Sequence, residues 1–114
     1  MNDTEFQEYL RGLGLKVESA QDSDSTPYTV IRNITISGGS LAGHTCDVAI
    51  ACCPSQPYVA AAAVHTRPAL LPMGTRNTQA SKLGPNWQYW SRRLDRPPTP
   101  QRLWTHILTV LTEV

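Results

Sequence analysis

Three cysteines in 114 residues is an odd count, so a full disulfide framework is excluded. The longest apolar run, Val59 to Val64, is far too short to span a bilayer. Asp3, Glu5 and Glu8 near the start lack the basic-then-apolar order of a secretory signal. Net charge is scarce as well: the formal total is +1, which gives no bulk argument for nucleic acid or a membrane surface. No glycine-rich loop ends in the Lys-Ser/Thr of a phosphate cradle, and no GxSxG elbow occurs. There is no internal repeat and no low-complexity tract. What is present suits a globular core, with 40% hydrophobic and 17% charged residues. The expectation is one cytoplasmic domain over residues 1–114.

The charge is polarised. Asp3, Glu5, Glu8, Glu18, Asp22 and Asp24 outnumber Arg11 and Lys16 in the first thirty residues, a balance of −4. From residue 65 onward, Arg67, Arg76, Lys82, Arg92, Arg93, Arg96 and Arg102 outnumber Asp95 and Glu113, a balance of +5. Such a surface steers partners without naming them.

Phe6, Tyr9, Leu10 and Leu13 recur at helical spacing behind Asp3 or Thr4 as cap, and Gly12 and Gly14 close the helix. Ala20 to Pro27 reads as a loop. In Tyr28 to Ser37, the residues Tyr28, Val30, Ile34 and Ile36 share one strand face. Gly38 to Gly43 is turn material. In His44 to Cys53, the residues Cys46, Val48, Ile50 and Cys52 alternate with Thr45, Asp47, Ala49, Ala51 and Cys53. A third strand is expected at Tyr58 to Thr66. Eight of the nine prolines lie between Pro54 and Pro100, and residues 67–100 show no long period, so they read as an irregular functional flap. Thr99 and Pro100 start a last helix with the stripe Leu103, Trp104, Ile107, Leu108, Leu111 and Val114. The fold class is α+β: an antiparallel meander with an N-terminal and a C-terminal helix and a long proline-rich flap.

Three groups of side chains bear chemistry. His44, Cys46 and Cys52 share a strand face, which admits zinc, yet paired CxxC or HxxxH turns are missing. The bland alternative makes Cys46 and Cys52 small buried hydrophobes; a third reading is a reactive thiol, with Cys53 on the other face as its candidate. His65 ends the third strand just before the flap and could serve as base or orienter, or simply satisfy a strand end; His106 reads as structural. Trp87-Gln88-Tyr89-Trp90-Ser91-Arg92-Arg93 interleaves aromatics and arginines. It suits base stacking, a protein-docking patch built on Trp87, Tyr89, Trp90, Arg92 and Arg93, or an anchor that pins a loop to the core.

The order helix, meander, proline-rich flap, helix resembles ubiquitin-conjugating enzymes. Gln56-Pro57-Tyr58 stands where that fold carries its Tyr-Pro turn. Pro68-Ala69-Leu70-Leu71-Pro72-Met73-Gly74-Thr75-Arg76, the Trp87 to Arg93 block and Leu103-Trp104-Thr105-His106-Ile107-Leu108 resemble prokaryotic family E of that superfamily. The resemblance implies acyl transfer of an activated ubiquitin-like tail, with an activating-enzyme-like protein, a ubiquitin-like protein and a JAB-type peptidase as partners and no cofactor, metal, nucleic acid or membrane. It places the nucleophile in the flap, where this chain has no cysteine and offers Ser91 instead. His65 is the base closest in sequence, Asn77 the nearest stand-in for the His-Pro-Asn element, and Arg93 stands where relatives commonly carry His. Two readings follow: transfer through Ser91 or a cysteine such as Cys53, or a catalytically silent scaffold that binds the ubiquitin-like protein or its activating enzyme.

Overall fold

A computed structural model describes residues 2–52, 63–94 and 99–114. The elements are α1 (Asp3–Gly12), β1 (Lys16–Gln21), β2 (Pro27–Thr35), β3 (Thr45–Ala51), β4 (Val64–Arg67), β5 (Thr78–Ala80), β6 (Gln88–Trp90) and α2 (Pro100–Thr112). All strand pairs are antiparallel, in the order β1-β2-β3-β4-β6-β5. The α+β class with a helix at each end agrees with the sequence reading. Residues 67–94, expected as an aperiodic flap, instead add two strands to the far edge of the sheet. Each is only three residues long, too short for a period of two to stand out.

The helices begin where side chains can satisfy their free N–H groups. Asn2, rather than Asp3 or Thr4, caps α1, its Oδ1 accepting from the Glu5 N–H at 2.8 Å. Gly14 follows α1 at φ 83°, a left-handed stop that glycine takes without strain. Thr99 caps α2 by accepting from the Arg102 N–H at 3.2 Å, and Pro100 occupies the first turn, both as expected. The buried stripe of α2 is Leu103, Ile107, Val110 and Leu111, so Val110 faces inward and Leu108 stays 36% exposed.

A single extra residue decides the faces of β2. Ile31 pairs with Val48 and Ile34 with Cys46, so three steps on β2 oppose two on β3. Asn33 takes φ 58° at this bulge, and its N–H donates to Asp47 Oδ1 at 3.0 Å. The bulge reverses the alternation. Ile31, Ile34 and Ile36 pack under the helices with Phe6, Leu10, Leu103, Ile107, Val48, Ile50, Val64 and Trp90. Tyr28 and Val30 point to the opposite face with Ala49 and Trp87. The expected grouping of Tyr28 and Val30 with Ile34 and Ile36 therefore fails at Asn33. On β3, which has no bulge, Cys46, Val48 and Ile50 share the core face as expected.

Edge strand β1 starts before the segment read as a loop and takes in Ala20 and Gln21. Its only partly buried residues are Val17 and Ala20, a spacing of three that carries no strand signal. The expected third strand is present as β4 from Val64, while its remaining residues, with Gln56, Pro57 and Tyr58, lie outside the described residues. Gly39, at φ 77°, leaves no room for a side chain against the Thr112 carbonyl at the end of α2.

The face away from the helices is tied by ion pairs. Arg32 bridges Glu18 at 3.2 Å and Asp47 at 3.3 Å, Arg67 meets Asp47 at 2.7 Å, and the Arg67 guanidinium lies 4.6 Å from the Trp87 ring centre.

Candidate functional site

Antiparallel pairing brings the ends of β3 and β6 and the starts of β4 and β5 to one rim of the sheet. Ser91 follows β6 and Asn77 precedes β5, so the two meet there: the Ser91 N–H donates to the Asn77 carbonyl at 2.9 Å. The turn that delivers Asn77 is held by threonines. Thr75 Oγ1 donates to the Pro72 carbonyl and Thr78 Oγ1 to the Thr75 carbonyl, each at 2.6 Å. Arg76 and Asn77 both sit in the left-handed region, at φ 50° and 58°. Arg92 then locks the rim. Its Nη1 donates to the carbonyls of Ser91 at 2.7 Å and Arg76 at 3.1 Å, and its Nε to Glu113 Oε1 at 2.9 Å.

These residues enclose an open polar notch of about 380 Å³ lined by Arg76, Asn77, Ser91, Arg92, Glu113 and Val114. Its chemistry favours an oxygen-rich, electron-rich group. An exposed serine hydroxyl needs a base within hydrogen-bond reach to become a nucleophile. Among the described lining residues the acidic side chain is Glu113, and it is already engaged by Arg92. Glu113 was not singled out by sequence reasoning. Its signal was position: with Asp95 it is one of two acids in a basic half, and it stands at a helix C-terminus, where the helix dipole disfavours it without a cation.

His65 is not part of this notch. It lies on β4 opposite Tyr89, 5% exposed, with its ring edge-to-face against Tyr28 at 5.1 Å and Tyr89 at 5.2 Å. Nδ1 and Ser81 Oγ stand 2.8 Å apart, and Ser81 Oγ also accepts from the Leu83 N–H. Burial disfavours the imidazolium and pushes the His65 pKa down to about 4, so the ring is neutral at pH 7. It lines a second pocket, of about 290 Å³, with Tyr28, Ala51, Ala63, Gln79, Ala80, Lys82 and Tyr89. The structure thus unites Ser91 with Asn77 and places His65, the expected base, in a separate pocket beside Ser81.

The aromatic block divides by burial. Trp90 is 0% and Trp87 7% exposed, so both rings pin the segment to the sheet and neither presents a docking surface. The outward positions are Arg93, Ser91 and, in part, Tyr89. Gln88, which the sequence reading passed over, is the centre of the block. Its Oε1 accepts from the Leu70 N–H at 3.1 Å, the Leu71 N–H at 3.2 Å and Trp90 Nε1 at 3.1 Å, and its Nε2 donates to the Leu71 carbonyl at 2.7 Å. The Trp-Gln-x-Trp spelling is therefore a clamp that straps residues 70–71 onto β6.

The thiols that can be placed are quiet. Cys46 is 2% exposed in the core, and burial pushes its pKa up to about 11. Burial also raises the Cys52 thiol, against the opposing effect of a contact with Thr29 Oγ1. Cys53 lies outside the described residues. A thiol reagent at pH 8 is expected to leave Cys46 unmodified in the native protein and to label it once denaturant is added; rapid native labelling of Cys46 would contradict its burial. Among the described residues no group of three His, Cys, Asp or Glu is placed to hold a metal ion, and His44, Cys46 and Cys52 do not form the zinc site weighed from the sequence. Among the same residues, no helix is long and apolar enough to cross a membrane.

An N-terminal helix, an antiparallel six-stranded sheet and a closing helix make an α+β arrangement consistent with an E2-like fold. The chain belongs to prokaryotic E2 family E, whose family model matches residues 3–114. That family carries an E2-like role in ubiquitin-like conjugation, with ubiquitin-like proteins and activating enzymes as the general class of partner. Comparison with curated proteins and with solved structures gave no match.

Proposed function

We propose that this chain binds and presents the C-terminal tail of a ubiquitin-like protein in a bacterial conjugation pathway, with the tail's end held in the Ser91 notch. The carrying observation is the composition of that notch. Ser91 and Asn77 are fixed side by side between Arg76 and Arg92, and the acidic side chain among the described lining residues, Glu113, is spent on Arg92. Such a lining stabilises a carbonyl or carboxylate oxygen and leaves the serine hydroxyl unactivated. His65 does not supply the missing base, because it lines the separate pocket and not the notch that holds Ser91. Asn77 positions Ser91 through its backbone carbonyl, Arg92, paired with Glu113, holds the rim in shape, Arg76 attracts the tail, and exposed Arg93 extends the basic rim toward the partner. An activating-enzyme-like protein delivers the tail, and a JAB-type peptidase removes what is conjugated.

Titration calorimetry with the pathway's ubiquitin-like protein tests this reading. Binding is expected for the native chain and for Ser91→Ala, and at least a five-fold loss for Arg76→Ala. Equal affinity for native and Arg76→Ala protein would sink it.

A second reading, transfer through a thioester, rests on chain order. Ala51 ends β3 on the same rim, and Cys53 follows two residues later. It predicts a reductant-sensitive adduct that Cys53→Ser abolishes.

A further inference from the structure

The pocket around His65 shares no residue with the notch, yet the two are offset by only two residues along β5 and β6. Asn77 and Ser91 line the notch, and Gln79 and Tyr89, each two residues along the same segment and paired with each other on the β5–β6 ladder, line the pocket. Two residues of strand span about 7 Å. The linings differ in kind. The notch is polar and carries two arginines, whereas the pocket is walled by Tyr28, Tyr89, a neutral His65 and the alanines Ala51, Ala63 and Ala80.

We infer that the pocket is a side-chain slot that takes an aliphatic or aromatic residue of the presented tail, two to three positions before its terminal carboxylate. This rests on the proposed tail-binding role of the notch and adds a sequence requirement to it. An extended peptide whose terminal carboxylate meets Arg76 and Arg92 reaches, two residues back, the level of Tyr89 and Gln79. A third-from-last side chain there lies over the β5–β6 ladder, where the three rings and three alanines offer apolar surface without an unpaired charge. The charge supports this polarity of binding: Arg76 and Arg92 line the notch and not the slot, and the Lys82 ammonium, which does line the slot, is paired with Asp24 at 2.6 Å. The neutral state of His65 matters, since an imidazolium in the wall would repel an apolar occupant.

The test uses the full chain and hexapeptides of alanine ending in Gly-Gly with a free carboxylate, in which one leucine is walked from the third to the sixth position from the end. Binding is read by two-dimensional NMR of the isotope-labelled chain. The slot predicts that leucine third from the end binds at least five-fold tighter than the all-alanine version, with shifts at Tyr28, His65 and Tyr89 as well as at Ser91 and Arg92. Ala80→Leu, at an exposed strand position, narrows the slot and is expected to erase the leucine preference while keeping the shifts at Ser91. A C-terminal amide is expected to weaken every peptide. Shifts at Ser91 and Arg92 with no dependence on leucine would overturn the slot and leave the notch reading standing. Shifts nowhere at millimolar peptide would overturn both.

Discussion

Replacing Gln88 by leucine is expected to destabilise the protein by about 3–5 kcal/mol, a large part of the stability of a domain this size. The carboxamide is fully buried; its oxygen accepts three hydrogen bonds, and its nitrogen donates one to the Leu71 carbonyl and a long one to Met73 Sδ at 3.9 Å. Leucine fills the same space but leaves the Leu70 and Leu71 N–H groups, the Trp90 indole N–H and the Leu71 carbonyl without their partner. Each orphaned buried group costs about 1–3 kcal/mol, partly relieved by local movement. Thermal unfolding reads the effect directly. A fall in Tm of roughly 15–30 °C is expected for a chain of this length. A fall of only a few degrees would show that residues 70–71 are held by something other than this clamp.

The second large effect is acid sensitivity carried by His65. Its folded pKa, about 4, lies below the ordinary histidine value near 6.5. Between those values the unfolded chain binds a proton that the folded chain refuses, so acid favours unfolding. The contribution of the neutral, buried ring is complete above about pH 6.5, is lost as pH falls toward 4, and changes no further below that. The full swing is about 3 kcal/mol. His65→Phe keeps an aromatic ring between Tyr28 and Tyr89 and removes the proton site. Urea denaturation at pH 7 and at pH 4.5 is expected to show a smaller loss of stability on acidification for His65→Phe than for the native chain. Equal losses would mean that His65 is not the group responsible. Asp47 belongs to the same acid limb. Its burial pushes the carboxyl up, but the Asn33 N–H, Arg67 and Arg32 outweigh this and hold it below its ordinary value. Its contribution is therefore present above about pH 4 and lost only as pH falls further.

Both effects arise from residues whose importance depends on tertiary neighbours, and that marks what the sequence could reveal. The helices, β3 and the turn at Gly38 to Gly43 were legible because their signals are local: a cap, a proline, an alternation, a pair of glycines. β2 was legible as a strand, but its faces were not, because a one-residue bulge at Asn33 inverts the pleat without changing composition. β5 and β6 fell below the length at which alternation is visible. At the site, the resemblance brought Ser91 and Asn77 forward together, and they share the notch. The pairing of His65 with Ser81 was beyond reach, since it joins residues 16 apart through a sheet register that no motif encodes. The Trp87 to Arg93 block was recognisable as a unit, yet only burial could separate the two tryptophans that anchor it from the positions left outside.

On the proposed reading, the Ser91 notch holds a tail without forming a bond to it. Intact mass spectrometry measures this most directly. The purified chain is incubated with the pathway's activating enzyme, ATP and ubiquitin-like protein, then split into native and denatured samples without reductant. A complex of chain and ubiquitin-like protein is expected under native conditions, with the unmodified mass of the chain after denaturation. A denatured species heavier by the ubiquitin-like protein less one water, and absent with Ser91→Ala, would contradict it.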